Sequence, residues 1–220
     1  LSDNKLDELP NYMTEVPRLQ SLNLSRNRIP VLPTAIHQMA GMQYLALDRN
    51  QLRKLPAEIC ELTELQELHL FGNPIDYLPD GIGKLERLET LLLNGTKLQN
   101  LPGSMGALKN LRTLELTDCQ LHELPSSIGG LQRLERLLIG KNRLVQLPSG
   151  IGELTELVQL DLSLNYFKEL PISLGQLSRL ERLDANGNNA ERLSAEICTL
   201  TQLNCLAANH NRLQALPDDI

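Results

Sequence analysis

The residues of this chain that could perform chemistry are few and form no known catalytic pattern. The four histidines, His37, His69, His122 and His210, are far apart, and the sequence contains no HExxH, GxSxG, Walker A or GxGxxG motif. The 27 aspartates and glutamates include close pairs, as chance predicts for so many carboxylates. We therefore predict no catalytic residue, no cofactor site and no metal site, and we do not expect these residues to form an enzyme.

The four cysteines indicate free thiols. None of Cys60, Cys119, Cys198 and Cys205 lies in a CxxC pair or at zinc-ligand spacing from a histidine. Cys60 and Cys198 each end an AEIC tetrapeptide and are 138 residues apart, which leaves Cys198 and Cys205 as the pair to check for a disulfide. Reduced thiols are typical of the cytosol, so we expect a cytoplasmic protein.

Charge and composition argue against nucleic-acid and membrane partners. The net charge is −6, aromatic residues make up 3% of the chain, and there is no Trp, so neither a basic field nor a base-stacking surface is expected. No apolar run approaches the roughly 18 residues that span a bilayer. No targeting segment is recognised at Leu1. We expect neither nucleic-acid binding nor membrane insertion.

A 23-residue repeat organises the whole chain. Leu-Pro recurs at nine positions with this step, and Leu193-Ser194 occupies the one slot of the series that lacks proline. The unit reads LPxxIxxLxxLxxLxLxxNxLxx, and residues 55–77 follow it throughout. A period of this length predicts stacked units that bury a continuous core against one another.

Each repeat predicts one strand and one short return segment. The triplet at residues 45–47 alternates apolar and variable residues, which indicates a strand with one buried face. Strands from successive repeats must then pair in parallel, with the favoured right-handed return. The spacing of Ile59, Leu62 and Leu65 predicts a short 3₁₀ or α turn. We predict an α/β fold: a right-handed solenoid with one parallel β-sheet on the concave face and short helical or 3₁₀ turns on the convex side.

This repeat resembles the leucine-rich repeat, in its LPxxI class, over the whole chain. Similar arrays occur in Ras-group and Scribble-type scaffolds, in Roco proteins and in secreted bacterial effectors. The resemblance implies a horseshoe that binds proteins in the cytoplasm, or in the host cytosol if the chain is an effector. We also expect a monomer.

We expect one domain over residues 1–220, with about nine complete repeats. Partial repeats stand at both ends, LSDNKL at 1–6 and LPDDI at 216–220. Because solenoids need polar caps over their terminal cores and none is visible, we expect the chain to be a stretch of a longer protein.

The fixed positions of the repeat have structural explanations. Leucines fill the interior, and an asparagine follows the strand at positions 27, 50, 73, 142, 165, 188 and 211. Its amide is expected to bond backbone groups of adjacent repeats. Thr96 and Cys119 replace this asparagine in two neighbouring repeats. Glycines of the return segments, such as Gly103, Gly129 and Gly130, are interpreted as ordinary turn residues.

Smaller residues replace Leu or Pro late in the chain, at Ala185, Ala190, Ser194 and Ala208. A buried Leu-to-Ala change costs about 2–5 kcal/mol unless the space is refilled. The last repeats are therefore either locally repacked or the least stable part of the solenoid.

The variable strand residues are the candidate binding site. Tyr44, Phe71, Leu92 and Leu138 are predicted to form an apolar group that the core does not require, with charged residues beside it. We predict that a protein partner contacts the concave face through Tyr44, Arg49, His69, Phe71, Leu92, Glu115, Leu138 and Asp161.

Three functions remain open. The first is a scaffold or recognition module that binds a protein partner. The second is the substrate-recognition part of a larger enzyme, such as an effector ubiquitin ligase or a Roco-type kinase, with catalysis elsewhere in the full-length chain. The third is extracellular ligand recognition, against which the lack of cysteine-rich caps argues.

Overall fold

The computed structural model describes residues 1–217 and alternates strands with 3₁₀ helices. The strands are β1 (Ser21–Asn23), β2 (Tyr44–Ala46), β3 (Glu67–His69), β4 (Thr90–Leu92), β5 (Thr113–Glu115), β6 (Arg136–Leu138), β7 (Gln159–Asp161), β8 (Arg182–Asp184) and β9 (Cys205–Ala207). The 3₁₀ helices are η1 (Asn11–Glu15), η2 (Thr34–Gln38), η3 (Ala57–Glu61), η4 (Asp80–Lys84), η5 (Gly103–Ala107), η6 (Ser126–Gly130), η7 (Ser149–Glu153), η8 (Ile172–Gln176) and η9 (Ala195–Thr199). The last three residues of the predicted partial repeat LPDDI lie outside the described residues. Within residues 1–217 no helix has the length and apolar character needed to cross a membrane.

The strands form one parallel sheet in chain order. Leu22 pairs with Leu45, and Leu45 with Leu68, so every pairing keeps the repeat spacing. The predicted horseshoe solenoid with a single parallel sheet is confirmed. Each strand begins and ends one residue earlier than the predicted triplet. Leu47 lies beyond β2, although its N–H still donates to the His69 carbonyl oxygen at 2.8 Å.

A left-handed residue causes this early end. Each strand is followed, three residues later, by a residue with φ between 53° and 68°. These residues are Arg26, Arg49, Gly72, Gly95, Asp118, Lys141, Leu164, Gly187 and His210. The left-handed conformation turns the chain out of the sheet, so regular pairing does not continue past it. The repeat consensus does not reveal the position, because glycine occupies it in only three of these repeats.

Each 3₁₀ helix except η9 follows a Leu-Pro dipeptide, because the proline ring fixes the backbone angle that precedes the turn. Pro56 has φ −66°, and the Ile59 N–H donates to its carbonyl oxygen at 3.1 Å. Ser194 keeps φ −64° where proline is missing. Its hydroxyl donates to the Glu196 carboxylate and lowers the pKa of that group. Of the two predicted turn types, the 3₁₀ form is the one observed in residues 1–217.

The 3₁₀ helices stack closely on the convex side, in a contact that we call the outer stack. A Cβ on Gly106 would lie 2.3 Å from the Ser127 carbonyl oxygen of the next repeat. The same repeat position holds Gly83, Gly129, Gly152 and Gly175. The interpretation of Gly129 and Gly130 as ordinary turn residues is therefore wrong, because a Cβ on them would lie 2.7 Å and 2.3 Å from backbone carbonyl oxygens. For Gly103 the interpretation holds, since a Cβ there would extend into open space.

In the alanine-rich part of the interior, one small residue adjoins a segment with a large one. Phe167 is fully buried at the repeat position where the next repeat has Ala190. The two segments adjoin, because the Asn189 N–H donates to the Phe167 carbonyl oxygen at 2.9 Å. A large side chain beside a small one conserves interior volume. Ala185 and Ala190 are each only 2% exposed.

The asparagine ladder is confirmed. Asn73 Nδ2 donates to the carbonyl oxygens of Leu70 (3.0 Å) and Leu47 (2.9 Å), and its Oδ1 accepts the Leu52 N–H at 3.1 Å. Equivalent bonds link the repeats at positions 27, 50, 142, 165, 188 and 211. Each asparagine thus joins two neighbouring turns of the solenoid.

The ladder has a gap at Thr96 and Cys119. Thr96 Oγ1 lies 3.1 Å from Cys119 Sγ, which also contacts the Leu93 carbonyl oxygen at 3.3 Å. Neither side chain supplies the amide oxygen of the other repeats. Within residues 1–217 the backbone N–H groups of Ile75 and Leu98, which would bond that oxygen, have no acceptor.

Candidate functional site

The solvent-facing residues of the sheet form three rows across the strands. The first row holds the first residue of each strand, the second row the last residue, and the third row the residue two positions beyond. The register places His69 beside Leu92, and Leu92 beside Glu115. Seven of the eight predicted site residues lie in these rows: Tyr44 in the first, Phe71 in the third, and His69, Leu92, Glu115, Leu138 and Asp161 in the second. Arg49 lies at the left-handed position.

Tyr44 and His69 pack against each other on β2 and β3. Their ring centroids are 5.1 Å apart with the planes at 76°, an edge-to-face contact. His69 Nε2 lies 3.1 Å from Glu67 Oε2, but the two atoms do not form a hydrogen bond. The His69 side chain is only 17% exposed. Partial burial, followed by the nearby Asp48 and Glu67 carboxylates, raises the pKa of Tyr44.

Arg49 lies over the ring of Phe71. Its guanidinium carbon is 5.2 Å from the ring centroid, within the range of a cation–π contact. Two backbone contacts fix this pair: the Arg49 N–H donates to the Phe71 carbonyl oxygen at 2.6 Å, and Asp48 Oδ1 accepts the Phe71 N–H at 2.9 Å. Four predicted residues, Tyr44, His69, Phe71 and Arg49, are therefore brought together on neighbouring repeats.

Glu115 divides the predicted apolar group. It pairs with Leu92 on one side and with Leu138 on the other. Its carboxylate is held by Asn94 Nδ2 at 2.7 Å and lies 3.7 Å from Arg136 Nη2, so it is only 19% exposed. Leu138 is thus separated from Leu92 by a strand that carries a held carboxylate. The prediction of one continuous apolar group needs this correction.

Asp161 lies beside Leu138 in the second row. Its Oδ1 accepts the N–H of Ser163 at 2.8 Å, and its carboxylate covers Gly140, where a Cβ would lie 2.9 Å from Oδ2. Leu138 and Asp161 therefore form a second part of the face, away from the Tyr44–Phe71 group.

The four cysteines are free thiols, including the pair Cys198 and Cys205. Cys60 borders a groove of about 880 Å³ on the outer side, between Val31 and Tyr77, far from the sheet face. Burial raises the pKa of the Cys60 thiol to about 11. Among residues 1–217 no three His, Cys, Asp or Glu side chains converge where they could hold a metal ion.

Several exposed apolar residues lie outside the predicted site. Val145, Leu164, Tyr166 and Ile172 are 59%, 51%, 53% and 70% exposed. They lie between β6 and η8, in the turns that leave the sheet and at the start of the 3₁₀ helix. A comparison of repeat positions could have found them, because the other repeats mostly carry polar, charged or small residues there.

Similar proteins were found by family and by structure. A leucine-rich repeat family model matches residues 1–52 and 17–75, and a leucine-rich repeat region model matches residues 91–166, together more than half of the chain. A TDR receptor superposes with a TM-score of 0.84 at 27% identity, over 94% of this chain and 37% of the receptor chain. The plant peptide hormone receptor RGFR1, in complex with RGF2, superposes with a TM-score of 0.81 at 29% identity, over 96% of this chain and 39% of the receptor chain.

A more distant structure shares the fold alone. The functional domain of InlJ from Listeria monocytogenes superposes with a TM-score of 0.79 at 23% identity, over 94% of this chain and 42% of that chain. The chain thus spans less than half the length of these three proteins. No curated protein sequence matches it. Because both matching models describe leucine-rich repeats and the structure repeats one strand and one 3₁₀ helix along the solenoid, this chain belongs to the leucine-rich repeat family.

Proposed function

We propose that this chain is a protein-interaction module that binds a protein partner on the concave face of its sheet. The leucine-rich repeat fold is typical of such modules. The observation that carries the proposal is the group of Tyr44, His69, Phe71 and Arg49, which is half-buried or exposed and lies outside the core. Aromatic residues and arginine are enriched among the residues that dominate binding energy.

The group is held in place before any partner arrives. The Arg49 and Phe71 backbones are bonded to each other, and Tyr44 packs on His69. A surface that loses little side-chain freedom on association keeps more of its contact energy as affinity. Phe71 and Leu92 are the proposed apolar anchors, and Arg49 and Glu115 are the proposed charged rim. Leu138 and Asp161 would form a second contact region beyond Glu115.

The test is differential capture. The 220-residue chain, immobilised at one terminus, is compared with the double variant Phe71→Ser and Leu92→Ser in capture from a lysate of its source. Loss of two anchors should weaken binding by about 2 kcal/mol or more for each. We expect the partner band to disappear while the circular dichroism spectrum and the unfolding midpoint stay close to wild type.

The matched control is Val31→Ser with Tyr77→Ser. Both of these side chains are 53% exposed, but they lie on the outer side. The control should capture the partner normally. Loss of capture in the control, with full capture by the concave-face variant, would place the site on the outer side and refute the proposal.

We also propose a cytosolic location, or the host cytosol for a bacterial effector, on the basis of the free thiols. As a second candidate, the same face would recognise an extracellular ligand, which is favoured by the 29% identity to a receptor solved with its peptide hormone. In a larger enzyme the face would select substrates for a catalytic domain elsewhere. Fractionation of cells that express the full-length protein distinguishes the first location from the second.

A further inference from the structure

Three exposed apolar side chains lie in the turns that follow β6 and β7. Val145, Leu164 and Tyr166 are 59%, 51% and 53% exposed. Val145 and Tyr166 line one groove of about 500 Å³. The Tyr166 N–H donates to the Leu144 carbonyl oxygen at 2.8 Å, which joins the two turns directly. The core of the solenoid uses none of these three side chains.

Leu164 adopts a backbone conformation that opposes its side chain. Its φ is 54°, in the left-handed region, where a residue with a Cβ costs about 1–2 kcal/mol. The equivalent position holds glycine or a polar or charged residue in the other repeats, from Arg26 to His210. The Leu164 side chain extends over Gly187, where a Cβ would lie 2.6 Å from Leu164 Cδ2. An exposed leucine kept at a strained position points to a role in binding.

For each of these apolar residues, an adjoining repeat carries a lysine or arginine at the same repeat position. Lys141 corresponds to Leu164, Arg143 to Tyr166, and Lys168 to Val145. The Lys141 N–H donates to the Ser163 carbonyl oxygen at 2.7 Å, so these turns are in contact.

The cations are available to a partner. Within residues 1–217 none of the three makes an ion pair, although Glu169 lines the same groove as Lys168. The opposite flank of the sheet, where the chain enters the strands, differs from this one. There Arg112 is paired with both Glu89 and Glu135. Unpaired cations therefore alternate with apolar residues on one flank of a chain whose net charge is −6.

We propose that these six residues form a second binding surface for an acidic protein segment that carries apolar side chains. We call it the loop patch: Lys141, Arg143, Val145, Leu164, Tyr166 and Lys168. The apolar side chains of the segment contact Leu164, Tyr166 and Val145, and its carboxylates pair with the three cations. The surface is independent of the concave face, because its residues lie beyond the rows of the sheet.

The experiment is selection of a phage-displayed library of random 12-residue peptides on the 220-residue chain. Each selected peptide is then synthesised, and its affinity is measured by fluorescence polarisation for the wild type, two patch variants, a matched control and the concave-face variant. The patch variants are Leu164→Gly with Tyr166→Ser, and Lys141→Glu with Arg143→Glu. The matched control is Arg53→Glu with Lys97→Glu, which reverses two exposed charges on the same flank in other repeats.

We expect a class of peptides rich in Asp, Glu and large apolar residues that binds the wild type and the control alike. Both patch variants should weaken this class about tenfold or more, and added salt should weaken it further. Phe71→Ser with Leu92→Ser should leave this binding intact, so a failure of the concave-face proposal would be seen separately. The single variant Leu164→Gly should be as stable as the wild type or more stable, since glycine removes the strain.

Two results would overturn the proposal. One is that no selected peptide depends on the loop patch. The other is that the peptides that do depend on it are basic or uncharged. A destabilised Leu164→Gly variant would show instead that the leucine is kept for its contact with Gly187.

Discussion

The outer stack and the concave face come from the same repeat but tolerate different side chains. In the outer stack a Cβ on Gly83 or Gly106 would come within 2.4 Å of a carbonyl oxygen of the next repeat. On the concave face the second row holds asparagine, alanine, histidine, leucine, glutamate and aspartate at one repeat position. Residue type is therefore constrained where the backbones of neighbouring repeats touch, and it varies where side chains meet solvent.

Cys60 shows how the outer stack accommodates an exception. It occupies the repeat position of Gly106, and the next repeat supplies Gly81, where a Cβ would lie 3.2 Å from Cys60 Sγ. The missing side chain of one residue thus makes room for the thiol of another. On the concave face no such compensation is needed.

The largest expected effect on stability lies in the interior, where Phe167 is fully buried. Phe167→Ala should lower the free energy of unfolding by about 3–5 kcal/mol, because the cavity would adjoin Ala190 and cannot refill. Urea unfolding of the purified chain measures this. The double variant Phe167→Leu with Ala190→Leu should return to within about 1.5 kcal/mol of wild type, since it exchanges volume between two adjoining repeats. If Ala190→Leu alone costs nothing, Phe167 does not fill the space beside Ala190.

An intermediate effect is expected in the outer stack. Gly106→Ala should lower the free energy of unfolding by about 1–3 kcal/mol, because the alanine methyl group would clash with the Ser127 carbonyl oxygen. Gly103→Ala, in the same 3₁₀ helix, is the matched control. It should be neutral or stabilising by up to about 1 kcal/mol, since the site is open and alanine restricts the unfolded chain. Equal effects of the two substitutions on the unfolding midpoint would contradict the close contact.

The smallest expected effect is a gain in the free energy of unfolding. Thr96→Asn with Cys119→Asn should complete the ladder and supply amide oxygens to the N–H groups of Ile75 and Leu98. A net stabilisation of about 0.5–1.5 kcal/mol for each restored bond is expected from urea unfolding. The reverse change, Asn73→Thr, should destabilise. A double variant less stable than wild type would show that this pair of repeats has no room for the amide.

Much of the fold could be predicted because it depends on periodicity. The pairing of Leu22 with Leu45 and the bonds of Asn73 follow once residues 23 positions apart are known to be equivalent. The rows of the candidate site follow for the same reason. Contacts between the rows could not be predicted, because Tyr44 packs on His69, and Glu115 is held by Asn94, only through side-chain conformations.

The sequence by itself determined the repeat length, the single strand in each repeat, the interior leucines and the asparagine ladder. Tertiary structure decided which glycines are required, where the left-handed turn lies and that Leu164 adopts this conformation. The repeat length shows which residues are equivalent. The repeat length does not show how closely two 3₁₀ backbones approach or which φ a turn adopts, since both depend on how successive repeats stack.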